Sequence, residues 1–334
     1  MSKIKPSQGA PYARIMGVGG YRPTRVVPNE VILETIDSSD EWIRSRSGIV
    51  TRHWASDEET VAAMSVEAAG KALADAGITA AQVDGVVVST VSHFKQTPAV
   101  ATEIADKIGA NKPAAFDISA GCAGFGYGLT LAKGMVVEGS ARYVLVIGVE
   151  RLSDLTDLED RATAFLFGDG AGAVVVGPAE EPAIGPTVWG SEGDKSETIK
   201  QTVPWSDYRN AGEVAKFPAI TQEGQAVFRW AVFEMAKVAQ QALDAAGITA
   251  DDLDVFIPHQ ANMRIIDSMV KTLKLPEHVT VARDIETTGN TSAASIPLAM
   301  ERLLATGQAK SGDTALVIGF GAGLVYAATV VTLP

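Results

Sequence analysis

The sequence predicts an α/β protein of two duplicated halves, and three observations carry that prediction. The first is an internal repeat. Residues 71–89 (KALADAGITAAQVDGVVVS) resemble residues 241–259 (QALDAAGITADDLDVFIPH), with Gly77 matching Gly247, Asp84 matching Asp254 and Ser89 matching His259, each 170 positions apart. The second is a later match, VLVIG at 144–148 with ALVIG at 315–319, now 171 apart. The third is the pattern within each copy: helix, glycine C-cap, short turn, apolar strand, loop, helix, apolar strand. Unbroken Val/Ile/Leu runs between helices are the pattern of parallel strands buried on both faces. Two copies at so long a period are a duplicated domain rather than a solenoid. The expected division is 1–178 and 179–334, the halves packed as a pseudo-dimer.

Composition narrows the class. A chain of 334 residues, 46% hydrophobic and 20% charged, has ample material for an ordered core. Its single cysteine allows no internal disulfide and no paired-cysteine zinc site. The histidines at 53, 93, 259 and 278 lack metal-binding spacing, so no metal is expected. A net charge of −12 argues against nucleic-acid binding. No apolar leader or stretch of 18 apolar residues is visible, and the expectation is a soluble, cytoplasmic protein without a membrane segment.

Taken in order, the chain begins with a short strand expected from Ala13 to Val18. Near residue 40, Ser39 or Asp40 is placed to cap a short helix carrying Trp42 and, one turn on, Arg46. That spacing suits a stacked indole–guanidinium pair, structural or ligand-binding. The chemically loaded stretch is 117–128, DISAGCAGFGYG. It follows an apolar run and precedes a helical pattern, so Cys122 falls on a strand-to-helix turn of small residues. A helix starting there aims free N–H groups at the sulfur and is expected to favour the thiolate. A lone cysteine also serves as a small buried hydrophobe, and the rest of the chain must decide.

Shifted by the repeat, Cys122 lands on Ser292 or Ala293 within GNTSAASIP at 289–297, so both halves place a small, polar turn at the same station. Four segments then converge on one cavity: Cys122, PHQAN at 258–262, GNTS at 289–292, and GFGAG at 319–323. Singly, His259 reads as a structural hydrogen-bonder, Asn290 as a turn residue and the glycine run as a hairpin. Together they suit acyl transfer followed by carbon–carbon bond formation. A thiolate makes a thioester, an imidazole N–H and an amide N–H hold an enolate, and N–H groups of Cys122 and of the 321–323 turn form an oxyanion hole.

The motifs GCAGF, HQAN, GNTSAAS and FGDGAG (167–172) resemble those of the β-ketoacyl-acyl-carrier-protein synthase III family, from about Arg14 to Thr332. The resemblance implies a thiolase-like five-layer α-β-α-β-α sandwich of two duplicated halves, and a homodimer. It implies decarboxylative condensation of a short acyl-CoA with malonyl-acyl-carrier protein, initiating fatty acid synthesis without metal or redox cofactor. Under it, Cys122 is the acylated nucleophile, and His259 and Asn290 assist decarboxylation. The amides of Cys122 and Ala322 form the oxyanion hole, with Phe320 beside the departing carboxylate. Trp42 and Arg161 sandwich the CoA adenine, Arg46 lies near the CoA phosphates, and Gly224 and Asn262 line the pantetheine tunnel. Arg264, Arg229 and Lys271 are expected to dock the acidic carrier, Arg264 and Lys271 lying seven apart on one helix. Thr97 departs from the phenylalanine of acetyl-selective members, implying a wider acyl pocket that takes isobutyryl-CoA alongside acetyl-CoA. A thiolase needs a second cysteine and elongating condensing enzymes a second histidine; the nearest rival is a synthase III relative that primes a polyketide or transfers acyl groups to another acceptor. A non-catalytic, carrier-binding scaffold would not need the Cys-His-Asn set.

Overall fold

The computed structural model describes residues 4–212 and 216–334. Two five-stranded sheets form the frame. The first runs in the order Tyr12–Tyr21, Asp169–Ala179, Val144–Arg151, Gly85–Ser89, Ala114–Ile118. The second runs in the order Val188–Ser191, Val325–Thr332, Thr314–Gly321, Val255–Pro258, Thr280–Val281. The two orders are the same, station for station. The repeat found in the sequence is therefore the pairing itself: Gly85 sits opposite Val144 in one sheet, and Val255 opposite Ala315 in the other.

Both sheets are mixed, not parallel throughout. Gly85–Ser89 pairs parallel with both neighbours, whereas Asp169–Ala179 pairs antiparallel with both of its own. Burial on both faces makes a strand apolar whichever way it runs, so composition could not give its direction. The expected strand at 13–18 extends over Tyr12–Tyr21.

Five layers result. Helices Val61–Ala76 and Val100–Ile108 cover the outer face of the first sheet through Ala68, Ala72 and Ile104, packed on Val86, Val88 and Leu145. Helices Gly224–Ala246 and Met263–Leu273 cover the second through Met235, Leu243 and Met269, packed on Phe256 and Leu316. Helices Gly124–Glu138 and Ser295–Ala305 lie between the sheets, where Phe125, Leu129, Ile296 and Met300 join Val146 and Val317 in one core. Val61–Ala76 and Gly224–Ala246 stop at Gly77 and Gly247, whose φ of 66° and 74° need no Cβ relief.

The central helices are locked by exchanged contacts. A Cβ on Gly148 would overlap the carbonyl oxygen of Ala293, and one on Gly319 would lie 2.9 Å from Cα of Ala123 and 3.0 Å from the carbonyl oxygen of Cys122. Since 148 and 319 are repeat equivalents, as are 122 and 293, each half presses its helix-start turn onto the other half's strand.

Gly148→Ala and Gly319→Ala should each destabilise the fold by roughly 1–3 kcal/mol, as overpacking does. Gly70→Ala, in an exposed helical position with open space around it, should stabilise it by about 0.5–1 kcal/mol. Denaturant midpoints of the three variants test this.

Candidate active site

One cavity of about 660 Å³ opens between the halves, and its walls include Cys122, His259, Asn290, Ser292, Phe320 and Ala322. The four segments singled out in the sequence do converge. Cys122 lies in a single 3₁₀ turn, Gly121–Ala123, and the α-helix begins two residues later at Gly124. Gly321 leaves room for it: a Cβ there would stand 2.8 Å from Sγ. The N–H groups of Ala322 and of Cys122 itself act on the sulfur, lowering its pKa. The glycine run is also a hairpin turn, joining Thr314–Gly321 to Val325–Thr332.

The electrostatics correct one expectation. Burial pushes the Cys122 thiol up to about 11; the Ser292 hydroxyl and the two N–H groups pull it down, while the Glu150 carboxylate raises it further. Desolvation thus works against the helix start at the sulfur.

His259 ends Val255–Pro258 and is 1% exposed. Burial holds its imidazole down at about 3, so the ring is neutral. Its Nδ1 is 2.7 Å from Ser295 Oγ, which also accepts from the Gln260 N–H at 3.3 Å. The serine can donate its hydrogen to Nδ1, and that pairing places the ring proton on Nε2. Phe320 meets the imidazole edge-on at 5.4 Å. Asn290 accepts at Oδ1 from the Ser292 N–H (2.9 Å), leaving Nδ2 as its free donor. Unlike Cys122 and His259, Asn290 does not follow a regular strand: it forms a lone bridge to Phe167, with N–H to Leu166 O at 2.8 Å and O to Gly168 N–H at 3.0 Å.

At the mouth, Ser39 caps Asp40–Ser47 by accepting from the Trp42 N–H. The Arg161 guanidinium lies 5.1 Å from the Trp42 ring centre and that of Arg46 5.9 Å. Gly224 lines the cavity with open space beside it. Asn262 lines it too, but also caps Met263–Leu273 through the Arg264 N–H and donates to Arg46 O at 2.9 Å. Arg264, Arg229 and Lys271 are exposed, with Arg264 stacked 4.9 Å over Phe228. Thr97 is exposed and lies outside this cavity. A single chain does not bring it to the acyl site.

Sequence reasoning missed several groups. Arg52, 0% exposed, donates to Val27 O, Asn29 Oδ1 and Phe165 O, and so holds the wall beneath Asn290. Trp230 donates to Glu192 at 2.8 Å and meets Phe320 edge-on. Ser295 pairs with His259, Ser292 lines the cavity and Glu150 is buried against residues 90–92; only Ser292 and Ser295 stood in a motif, and nothing marked Glu150.

A thiol, a neutral imidazole N–H donor and an amide donor around an apolar cavity, on a duplicated five-layer frame, define a thiolase-fold acyl-transferring enzyme. Two family models match: the 3-oxoacyl-[acyl-carrier-protein] synthase III model over residues 116–193 and its C-terminal model over 243–333. The chain is 89% identical over its full length, and the relative's, to the β-ketoacyl-[acyl-carrier-protein] synthase III of Streptomyces glaucescens. It is 53% identical to the mycobacterial β-ketoacyl-[acyl-carrier-protein] synthase III of Mycobacterium marinum, covering all of this chain and 99% of that one. Among solved structures, the priming β-ketosynthase of the R1128 polyketide pathway superposes with a TM-score of 0.97 at 46% identity, covering 100% of this chain and 99% of that one. The 3-oxoacyl-[acyl-carrier-protein] synthase III of Aquifex aeolicus VF5 does so with a TM-score of 0.88 at 38% identity, covering 96% and 99%. The chain belongs to the β-ketoacyl-acyl-carrier-protein synthase III family.

His259 should not titrate between pH 5 and 8 by NMR. As pH falls from about 6.5 toward 3, the unfolded chain takes up a proton that the native ring refuses, so the wild type should lose stability that a His259→Gln variant keeps. Unfolding midpoints across that range read the difference.

Proposed function

We propose that this chain condenses a short acyl-CoA starter with malonyl-acyl-carrier protein through an acyl-Cys122 intermediate, giving a β-ketoacyl-carrier product, CO2 and CoA, and so initiates type II fatty acid synthesis. The observation that carries the reading is the placement of Cys122, His259 and Asn290 on one cavity whose mouth bears the Trp42–Arg161 stack. In the first half-reaction Sγ adds to the thioester carbonyl, the oxyanion takes the N–H groups of Cys122 and Ala322, and the bond to the CoA sulfur breaks. In the second, the malonyl carboxylate leaves as CO2 beside apolar Phe320. The enolate oxygen is held by His259 Nε2–H and Asn290 Nδ2–H while its carbon attacks the acyl group and Cys122 leaves. A histidine too weak a base to hold a proton suits this: it offers a hydrogen bond and does not become charged.

Trp42 and Arg161 take the adenine, Arg46 the phosphates, and Gly224 and Asn262 flank the pantetheine arm. Arg264, Arg229 and Lys271 form the carrier dock, basic groups on an acidic protein. Both acyl donors are substrates, no cofactor is required, and the reaction belongs in the cytoplasm. The proposed homodimer also bears on starter choice, since exposed Thr97 serves an acyl pocket only if a second copy brings it there. The similarity to a polyketide-priming ketosynthase supports the second reading, in which the same condensation primes a polyketide; the carrier protein that discharges the acyl-enzyme separates the two.

Intact-protein mass after mixing with acetyl-CoA or isobutyryl-CoA should show one acyl adduct on wild type and none on Cys122→Ala, discharged by malonyl carrier as a β-ketoacyl product. No adduct from any short acyl-CoA counts against the reading. Exclusion of isobutyryl-CoA would remove the wide-pocket role of Thr97. Trp42→Ala should raise KM for acyl-CoA roughly 3- to 30-fold, equivalent to about 0.5–2 kcal/mol of lost stacking, with kcat little changed.

A further inference from the structure

Ala322, whose N–H is the second oxyanion donor of the proposed condensation, stands in the short turn 322–324 that joins Thr314–Gly321 to Val325–Thr332. A donor on so short a turn is only as well placed as the residues that flank it. Two before it is Phe320 and two after it is Leu324. Both are buried, and each is held by a different element.

Leu324 is held through its backbone. Glu192, just past the edge strand Val188–Ser191, forms a reciprocal pair with it: the Glu192 N–H donates to Leu324 O at 2.8 Å, and the Leu324 N–H to Glu192 O at 3.2 Å. Phe320 is held through its ring. Trp230, on helix Gly224–Ala246, meets it edge-on with ring centres 6.2 Å apart, and the same phenyl ring meets His259 at 5.4 Å.

One hydrogen bond joins the two grips. Trp230 Nε1–H donates to Glu192 Oε1 at 2.8 Å, while the other carboxyl oxygen is taken by Lys195. The indole is 6% exposed, so its N–H needs an acceptor within the protein, and Glu192 supplies it. The hydrogen bonds from Lys195 and from the indole hold the carboxyl below its ordinary value, which keeps it charged and a strong acceptor. Contact thus runs from Phe320 to Trp230, to Glu192 and to Leu324, and the turn that carries Ala322 closes the circuit.

We propose that Glu192 and Trp230 are positioning residues for the condensation, a clamp that fixes the Ala322 N–H and the Phe320 ring together beside Cys122 and His259. An oxyanion donor acts only if it is already in place when charge develops. A misplacement of about 1 Å costs on the order of 100-fold in rate. A carboxylate whose side chain is 30% exposed thereby bears on the buried chemistry through a single indole.

The clamp rests on the condensation proposed above, and the test separates the two. Steady-state kcat and KM with acetyl-CoA or isobutyryl-CoA and malonyl carrier, alkylation of Cys122 by iodoacetamide, and unfolding midpoints are measured for wild type, Glu192→Ala, Glu192→Gln and Trp230→Phe. Glu192→Ala and Trp230→Phe should lower kcat on the order of 10-fold, with KM for acyl-CoA within about 2-fold of wild type. Glu192→Gln, whose amide oxygen still accepts from the indole, should recover most of the rate. A brace that serves stability alone lowers the unfolding midpoint and leaves kcat unchanged. That result overturns the proposal, as does a loss in Glu192→Gln equal to that in Glu192→Ala. Should Glu192→Ala not fold, Trp230→Phe decides, since it keeps a ring against Phe320 and removes the N–H. If no acyl-CoA modifies the wild type, the functional reading fails and alkylation decides the clamp. It should slow about 3-fold in Glu192→Ala and not in Glu192→Gln; equal rates in all variants overturn it.

Discussion

The structure depends on one reciprocal contact. Gly148 of the first half receives the Ala293 turn of the second, and Gly319 of the second receives the Cys122 turn of the first. Neither turn could approach if the strand it meets carried a side chain. The approach sets where the cavity lies, because the helices that start at these turns bury their apolar faces in the same core, Phe125 and Leu129 with Ile296 and Met300. Packing between the halves and the position of Cys122 are thus one constraint, enforced by backbone contact rather than by flexible side chains.

The same symmetry explains how chemistry is divided. Ser89 and Gly124 of the first half are the equivalents of His259 and Ser295 of the second. In the second, imidazole and serine are 2.7 Å apart and fix the ring; in the first, a Cβ on Gly124 would collide with the Ser89 hydroxyl. One half presents the thiol on its turn, and the other presents the imidazole after its strand and the amide on its turn. A duplicated frame has become a single site with different tools from each copy.

Much of this was legible in the residues. The repeat gave two equivalent halves because duplicated sequence must bury the same faces. The convergence of Cys122, His259 and Asn290 followed from their stations in it. Strand direction was not legible, since Asp169–Ala179 is buried on both faces and apolar whichever way it runs. The pairing of Trp42 with Arg161, 119 positions apart, came from family resemblance rather than from any local pattern. Glu150 was illegible for a simpler reason: its partners come from residues 90–92, and only folding removes it from water. The thiol's raised pKa was missed likewise, because a helix start is visible in sequence and desolvation is not.

Asn290 is held by its backbone, not by its own half's sheet. Its N–H and C=O bond Leu166 and Gly168, in a segment whose carbonyls are gripped by Arg52 and Trp54. Five residues before Leu166, the same segment carries Arg161 against Trp42 at the cavity mouth. The segment that stands at the entrance therefore also holds Asn290 in the cavity wall. A disturbance at the doorway is transmitted to the chemistry along a few bonds of backbone, so grip and alignment in this enzyme are mechanically one adjustment.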